Sequence, residues 1–417
     1  MAALIWDRLG RRHGVPRGAA ETLRLPPGCT ARWLGDPDAQ AELSGWVKSS
    51  PDHTVYHLAP YIDFLRAQGA CADVLLVARE GNPLFALPIH SFAAAGIDCG
   101  YSGVVFPATG REGPLRRAVA ALVALFECNR HIPFQAIQSA QAPAYDDAAR
   151  TNMLRMLLEA EGLELERVYT RLCDLDRLPA PEQVPLAPGR HPGALAIDGD
   201  WLGGESLDGY DPDVRNQIRQ ALRRGLSVEY ANPDDATARA NAYERFQPVH
   251  ESSWARTGLL PKPRDYWPAL SAAVTEGGGE DLVVLVLDGD GEALAGVVCH
   301  AYGERAIYWS GCSTARGLRL RANPLCLHGA IAACRHRGVR TFELGRFRAD
   351  EPSSKERRVS HYKAQFGGSL VPVTAFSSTP SLAARARAAR AGALGEGRRR
   401  LAVEIARARV RRRDGAR

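Results

Sequence analysis

Residues 282–287 form an unbroken apolar run, Leu-Val-Val-Leu-Val-Leu, which stops at Asp288-Gly289-Asp290-Gly291. Asp-Gly tolerates positive φ, so the two signals together predict a strand and a tight hairpin turn. Residues 293–302 read as the return strand, Gly303-Glu304 turns again, and 306–310 is a third strand. Asn323 reads as an N-cap with Pro324 at the first helical position, opening a helix to about His336. Gly338 ends it, and 341–344 is the next strand. The order β-β-β-α-β predicts an antiparallel meander with one crossover helix, an α+β domain. Helical periodicity precedes it at 212–224, 241–257 and 264–275.

The same pattern occurs earlier in the chain. Residues 73–81, DVLLVAREG, parallel 281–289, DLVVLVLDG, at an offset of 208. Ser102-Gly103 parallels Ser310-Gly311 at 208, Cys128 parallels Cys334 at 206, and the strand-like 134–137 parallels 342–345 at 208. Four matches in one order predict two copies of one fold. The first copy reads as strands 73–78, 84–92 and 97–103, a helix over 114–128, and a strand over 134–139. A helix over 148–161 then leads to a strand over 165–175. Five prolines between 179 and 192 mark a linker, and 370–376 reads as a closing strand. The expected division is an N-terminal extension (1–28), a first lobe (29–178), the proline-rich linker (179–192), a second lobe (193–378) and a tail (379–417).

Charge divides the chain further. Its formal net charge is +6, but residues 381–417 carry twelve arginines against Glu396, Glu404 and Asp414, leaving the rest at −3. A mildly acidic body thus ends in a basic tail, Ala/Arg-rich and helical by propensity. Such a tail either docks on RNA or an anionic membrane surface, or is merely solvated. No apolar run reaches the length of a membrane span. The first residues lack the apolar segment of a secretion leader. Nine scattered cysteines without a Cys-x-x-Cys pair predict reduced thiols, a cytoplasmic setting and no metal site.

The chemistry-bearing stretch is 341–368. A strand end runs into Gly345-Arg346-Phe347, a loop of mixed charge spans 348–358, and the chain returns as His361-Tyr362-Lys363-Ala364-Gln365-Phe366-Gly367-Gly368. This order resembles the FemAB-like acyltransferases of the CelD/BcsL type, a two-lobed branch of the GNAT superfamily. Residues 54–60 look like that family's opening segment, 215–225 like its arginine-rich helix, and 325–346 like its helix-strand core. Glu343 stands where the family pattern has aspartate. The resemblance implies an α+β fold of two tandem GNAT-like lobes, with mixed, largely antiparallel sheets flanked by helices. It also implies an N-acyltransferase with no tightly bound cofactor. Its co-substrate would be acyl-CoA or an aminoacyl-tRNA, and its acceptor an amine on a small molecule, sugar, peptide or envelope precursor.

Acyl transfer to an amine passes through a tetrahedral oxyanion, which needs a donor aimed at that oxygen. The family motif gives this role to Lys363; the bland alternative is a surface lysine on a terminal strand. Tyr308, on the third meander strand, could protonate a leaving group or be a core tyrosine. Arg346, Glu343 and Tyr362 are candidate substrate contacts, and Arg346 could instead pair with Glu343 or Glu351. His250 and Trp254, four apart on a helix, read as cleft-wall or packing residues. Arg316, Arg319, Arg321 and Asn323 stand where CoA-using relatives carry a glycine-rich pyrophosphate loop. Arg319 replaces the first loop glycine, which weakens the case for CoA, while three arginines at a helix start still make an anion site. Arg215 and Arg219 share one helix face and are either a phosphate-binding or a solvated face.

Overall fold

The structure, a computed structural model, describes residues 23–93, 96–98, 103–109, 111–130, 132, 134–137, 147–348 and 354–377. They divide into two compact units, the first ending at Val168 and resuming at Pro372, the second running from Tyr169 to Val371. The basic tail and most of the N-terminal extension lie outside the described residues.

In the first unit the chain runs β1 (Cys29–Trp33), α1 (Pro37–Ser49), α2 (Ala59–Ala67), β2 (Asp73–Arg79), β3 (Asn82–Ile89), β4 (Ser91–Ala93), β5 (Gly96–Asp98), α3 (Glu112–Cys128), β6 (Phe134–Ile137) and α4 (Ala148–Ala160). It then enters β7 (Glu164–Asp174). The β2–β3 hairpin is antiparallel, with Leu75 opposite Leu87, and β1 adds to its open edge. Strands β5 and β6 are parallel, Ile97 opposite Phe134, which requires the crossover supplied by α3. Residues Leu115, Ala118, Val119, Leu122, Leu125 and Phe126 of α3 recur at helical spacing and are buried. The Phe126 ring lies 4.5 Å from Phe134 and 6.3 Å from Phe376. Phe376 belongs to the last described strand, whose residues 375–377 pair with 135–137 of β6.

The second unit begins within β7. It continues as β8 (Leu186–Pro188), β9 (Ala194–Ile197), α5 (Gly199–Gly203), α6 (Pro212–Arg223), β10 (Ser227–Ala231), α7 (Ala236–Thr257), α8 (Tyr266–Glu276), β11 (Glu280–Leu287), β12 (Ala293–Tyr302), β13 (Arg305–Ser313), α9 (Ala315–Leu320), α10 (Ala322–His336), β14 (Thr341–Arg348), α11 (Ser354–Ala364) and β15 (Ser369–Ser377). Strands β8 to β14 lie side by side in chain order, followed by β7. Neighbours from β8 to β13 are antiparallel, and β13–β14 is parallel across the α10 crossover. The apolar run of β11 does not alternate because both its faces are covered. Leu282, Val284 and Val286 pack in one cluster with Leu325, Ile331 and other residues of α10. Leu285 and Gly296 face Phe246 of α7. The hairpin after β11 is held by Asp288, whose carboxylate accepts from the backbone N–H groups of Asp290 (3.1 Å) and Glu292 (2.9 Å).

Each unit therefore has a hairpin, a further strand, a crossover helix, a parallel strand, a second helix and a final strand. This is the expected tandem, two-lobed α+β architecture.

Four expectations need correction. The proline-rich stretch 179–192 is no free linker: it makes a 3-10 turn at Pro181–Gln183 and then β8, paired with β9. Proline lacks a ladder donor but is tolerated on an edge strand, which β8 is. The change of unit falls inside β7 and β15. Asn323 is not a cap, because α10 starts at Ala322 after Arg321, whose φ of +66° turns the chain between α9 and α10. Residues 354–358, expected as loop, are the first turn and a half of α11, which places Lys363 on a helix and not on a strand.

Candidate active site

The ladder between β13 and β14 runs from 305–307 to 341–343, and the next residues of each strand form the site. Gly345 has φ +80°, a conformation that costs any residue with a Cβ. A Cβ there would stand 3.3 Å from the Nζ of Lys363 and 3.8 Å from the carbonyl oxygen of Tyr308. The Lys363 Nζ lies 5.2 Å from the centroid of the Tyr308 ring, within range of a cation–π interaction. The Tyr308 hydroxyl packs against Gly311, where a Cβ would collide with it.

Lys363 sits in the last turn of α11, and three residues of β7 fix that helix in place. Thr170 Oγ1 is 2.9 Å from Glu343 Oε1 and 3.0 Å from the carbonyl oxygen of Gly345, ahead of the helix. Behind it, Arg171 donates to the Gly368 carbonyl (3.0 Å), and the Cys173 thiol to that of Phe366 (3.9 Å). The Gln365 carbonyl accepts from the Asp211 backbone N–H at 2.8 Å. The chain leaves through Gly367 and Gly368, with φ of +76° and +79°.

Burial pushes the Lys363 ammonium down to about 8, against an upward pull from the nearby Glu343 carboxyl. At neutral pH the amine is still largely charged. Burial raises both Tyr308 and Tyr362, so their phenols stay neutral there. Tyr362 packs edge-on to the buried Phe366, 5.4 Å between centroids. The structure thus gathers Lys363, Tyr308 and Glu343 around Gly345, while Tyr362, next to Lys363 on α11, packs on Phe366. Arg346, the next residue of β14, is exposed.

His250 and Trp254 form a different cluster on α7 and α8. Their rings are 4.4 Å apart, and His250 is 5.0 Å from Trp267 and 5.8 Å from Phe246. The His250 Nε2 accepts from the Lys262 backbone N–H at 2.9 Å, and burial lowers its pKa to about 4. His250 is therefore a neutral packing histidine.

The arginine group at 316–321 is also altered. Arg316 is bound to Asp288 and lies 3.6 Å from Glu292, so its charge is already neutralised. The Arg319 carbonyl accepts from Arg224 (3.0 Å), while its side chain and that of Arg321 are exposed. Asn323 is half-buried in the first turn of α10. A six-residue helix, α9, stands between β13 and α10 where a glycine-rich loop was considered. It packs so closely on β12 that a Cβ on Gly317 would lie 2.3 Å from the Leu294 carbonyl oxygen. Arg219 donates to the Gly203 carbonyl (3.0 Å) and Arg215 is half-buried on the same helix.

Thr170 escaped the sequence reading. It lies mid-strand, more than 170 residues from its partners, and no local pattern marks it. Among the described residues no group of three or more His, Cys, Asp or Glu side chains could hold a metal ion. No described helix is long and apolar enough to cross a membrane.

A meander with a crossover helix and a parallel strand pair recur in both units, and in the second that pair ends at the site. Residues 212–364 match the acetyltransferase (GNAT) domain family. That segment runs from α6 to α11 and so includes Gly345, Tyr308 and Lys363. Among solved structures, FemX is similar over 81% of this chain and 95% of its own, at 15% identity and a TM-score of 0.51. The C-terminal domain of a putative lysylphosphatidylglycerol synthetase from Agrobacterium fabrum is similar over 82% and 95%, at 15% identity and a TM-score of 0.50. No curated protein matches the chain.

Proposed function

We propose that the second unit transfers an acyl or aminoacyl group from an activated ester or thioester to an amine, with Lys363 as the oxyanion donor. The observation that carries this is the placement of one half-buried ammonium beside Gly345 and the Tyr308 ring, where β13 and β14 cease to pair. The strand ends beyond that ladder offer backbone groups to an extended acyl chain. The amine nitrogen attacks the carbonyl carbon, a C–N bond forms, and the carbonyl oxygen gains a full negative charge beside Lys363. Collapse breaks the C–O or C–S bond, and the proton lost by the amine balances the one taken up by the leaving oxygen or sulfur.

Between the two donors, an aminoacyl-tRNA fits better than acyl-CoA. The α9 segment replaces a glycine-rich loop, and Arg316 is committed to Asp288. Arg319 and Arg321, with Arg215 and Arg219 on α6, remain as contacts for a phosphorylated donor. Arg346, Glu343 and Tyr362 border the acceptor. The acceptor class is an amine on a sugar, peptide or envelope precursor. Turnover with a panel of acyl-CoAs and charged tRNAs against amino-sugar and peptide acceptors tests the reading. Turnover with charged tRNA alone supports it, turnover with acyl-CoA alone corrects the donor, and none with either removes it.

A further inference from the structure

Lys262, in the turn between α7 and α8, is held at its backbone and along its side chain. Pro261 and Pro263 flank it and restrict its backbone. Its N–H donates to His250 Nε2 at 2.9 Å, and its carbonyl accepts from the Gln247 side-chain amide at 3.0 Å. Its side chain is half-buried, with Nζ 4.5 Å from the centroid of the Tyr266 ring, within range of a cation–π interaction. Among the described residues no carboxylate pairs with this ammonium, and burial lowers its pKa without an opposing charge. The acids of the adjoining turns are placed otherwise: Glu251 accepts from Gln247 (2.9 Å), Glu244 faces Arg264 (3.5 Å), and Asp265 is exposed. Holding a lysine side chain in one place costs rotamer entropy, and half-burying its charge costs hydration.

The corner behind Lys262 carries donors in excess. His250 is neutral and accepts at Nε2, so its proton is on Nδ1, and that N–H has no acceptor although His250 is fully buried. The buried Trp267 indole N–H, whose ring lies 5.0 Å from that of His250, also has none. Against these stands Gln247 Oε1, an acceptor without a donor.

This corner adjoins the strand that carries the site. The Tyr266 hydroxyl is hydrogen-bonded to Trp309, the residue after Tyr308 on β13. Tyr308 packs on the cluster that α6 and α10 form with one face of the sheet. Trp309 lies on the other face, 4.8 Å from the His300 ring, and His300 neighbours Asp281, which accepts from Tyr243 of α7. Arg219, Arg319 and Arg321 belong with α6, α9 and α10, whereas Lys262 belongs with α7 and α8. Beyond the pair 307–343 the two strands no longer bond, so the split between them is open to both faces.

We infer that Lys262 anchors an anionic group, a carboxylate or a phosphate, on the amine acceptor, which approaches from the α7–α8 face, opposite the arginines assigned to the phosphorylated donor. The inference rests on the proposed acyl transfer only for calling the ligand the acceptor.

Equilibrium binding to the full-length protein, with no donor present, tests it. Two probe pairs differ in one anionic group: glucosamine 6-phosphate against glucosamine, and D-alanine against D-alaninamide. The acidic member of at least one pair should bind wild type about tenfold tighter than its neutral partner, as a charge-assisted hydrogen bond supplies. The pair that responds tells phosphate from carboxylate. In Lys262→Met and Lys262→Gln, with thermal melts to confirm folding, that preference should vanish, while Lys262→Arg keeps part of it. No discrimination within either pair in wild type, or a preference that survives in the folded variants, overturns the inference. Binding through Lys262 with no turnover from any donor leaves the anion site and removes the acyl-transfer reading. Turnover of acceptors without an anionic preference does the reverse.

Discussion

The Nζ of Lys363 stands 5.2 Å from the centre of the Tyr308 ring, and the two side chains come from a helix and a strand 55 residues apart. Burial opposes the charged form of the amine, while the nearby Glu343 carboxyl favours it. The balance leaves the ammonium titrating at about 8, close enough to neutrality to be charged in use and to lose that charge in a mildly basic solution.

Gly345→Ala tests the backbone of the site. The φ of +80° costs a Cβ-bearing residue about 1–2 kcal/mol, and the methyl would stand 3.3 Å from the Lys363 amine. A lowered melting temperature, with turnover falling further than the stability loss accounts for, is the expected result. A variant as stable and active as wild type would remove Gly345 from the design of the site.

Folding stability should carry the signature of Lys363. Its folded-state pKa lies below the unfolded value, so between about 8 and 10.4 the unfolded chain binds more protons and stability rises with pH through that window. The full shift corresponds to roughly 3 kcal/mol. Denaturant titrations of wild type and Lys363→Met across pH 7–11 isolate it, because the tyrosines and cysteines contribute equally to both. The difference between the two curves should favour Lys363→Met at pH 7 and shrink towards pH 10.5.

Arg316→Ala should cost under about 1 kcal/mol, since Arg316 is 48% accessible and the buried Asp288 carboxylate keeps the backbone N–H groups of Asp290 and Glu292. The Michaelis constant for the donor should not change. A large rise in that constant would return Arg316 to donor binding.

Asp52→Ala in the first unit should be far more damaging. Asp52 and Arg150 are both 5% exposed and 2.6 Å apart, and Asp52 also accepts from the Phe106 backbone at 3.1 Å. Removing the carboxylate strands a buried guanidinium, which typically costs about 3–5 kcal/mol. A thermal melt within a degree of wild type would contradict this.

Much of the fold was legible because its signals are local. The Asp-Gly hairpin after β11, the apolar runs of β2 and β11 and the α3 stripe need only neighbours in sequence to declare themselves. The α10 start was misplaced because Asn323-Pro324 looks like a cap, whereas α9 and Arg321 set the entry to the helix. Residues 354–358 read as loop because their charges outweigh a weak helical pattern. The site was half legible: Lys363, Tyr308, Glu343 and Tyr362 lie in or near one motif, but Thr170 and the other β7 contacts reach it only through the fold. The proline stretch misled for the opposite reason, since an edge strand excuses the missing donors that make proline look like a breaker.

The central claim is that the Lys363 ammonium stabilises the transition-state oxyanion. Because the oxyanion carries more charge than the ground-state carbonyl, loss of the ammonium should lower kcat more than it raises KM. The most direct measurement is kcat against pH for wild type, Lys363→Met and Lys363→Arg, using whichever donor and acceptor support turnover, with thermal melts to confirm folding. Wild-type kcat should fall as pH rises through about 8, where the amine loses its proton. Lys363→Met should be roughly 10²–10³ slower, with no such fall. Lys363→Arg should be slowed too, its planar fork being a poor replacement for a point donor, and should stay charged at every pH tested. A folded Lys363→Met with near wild-type kcat, or a wild-type kcat that rises through pH 8 and holds, would contradict the account.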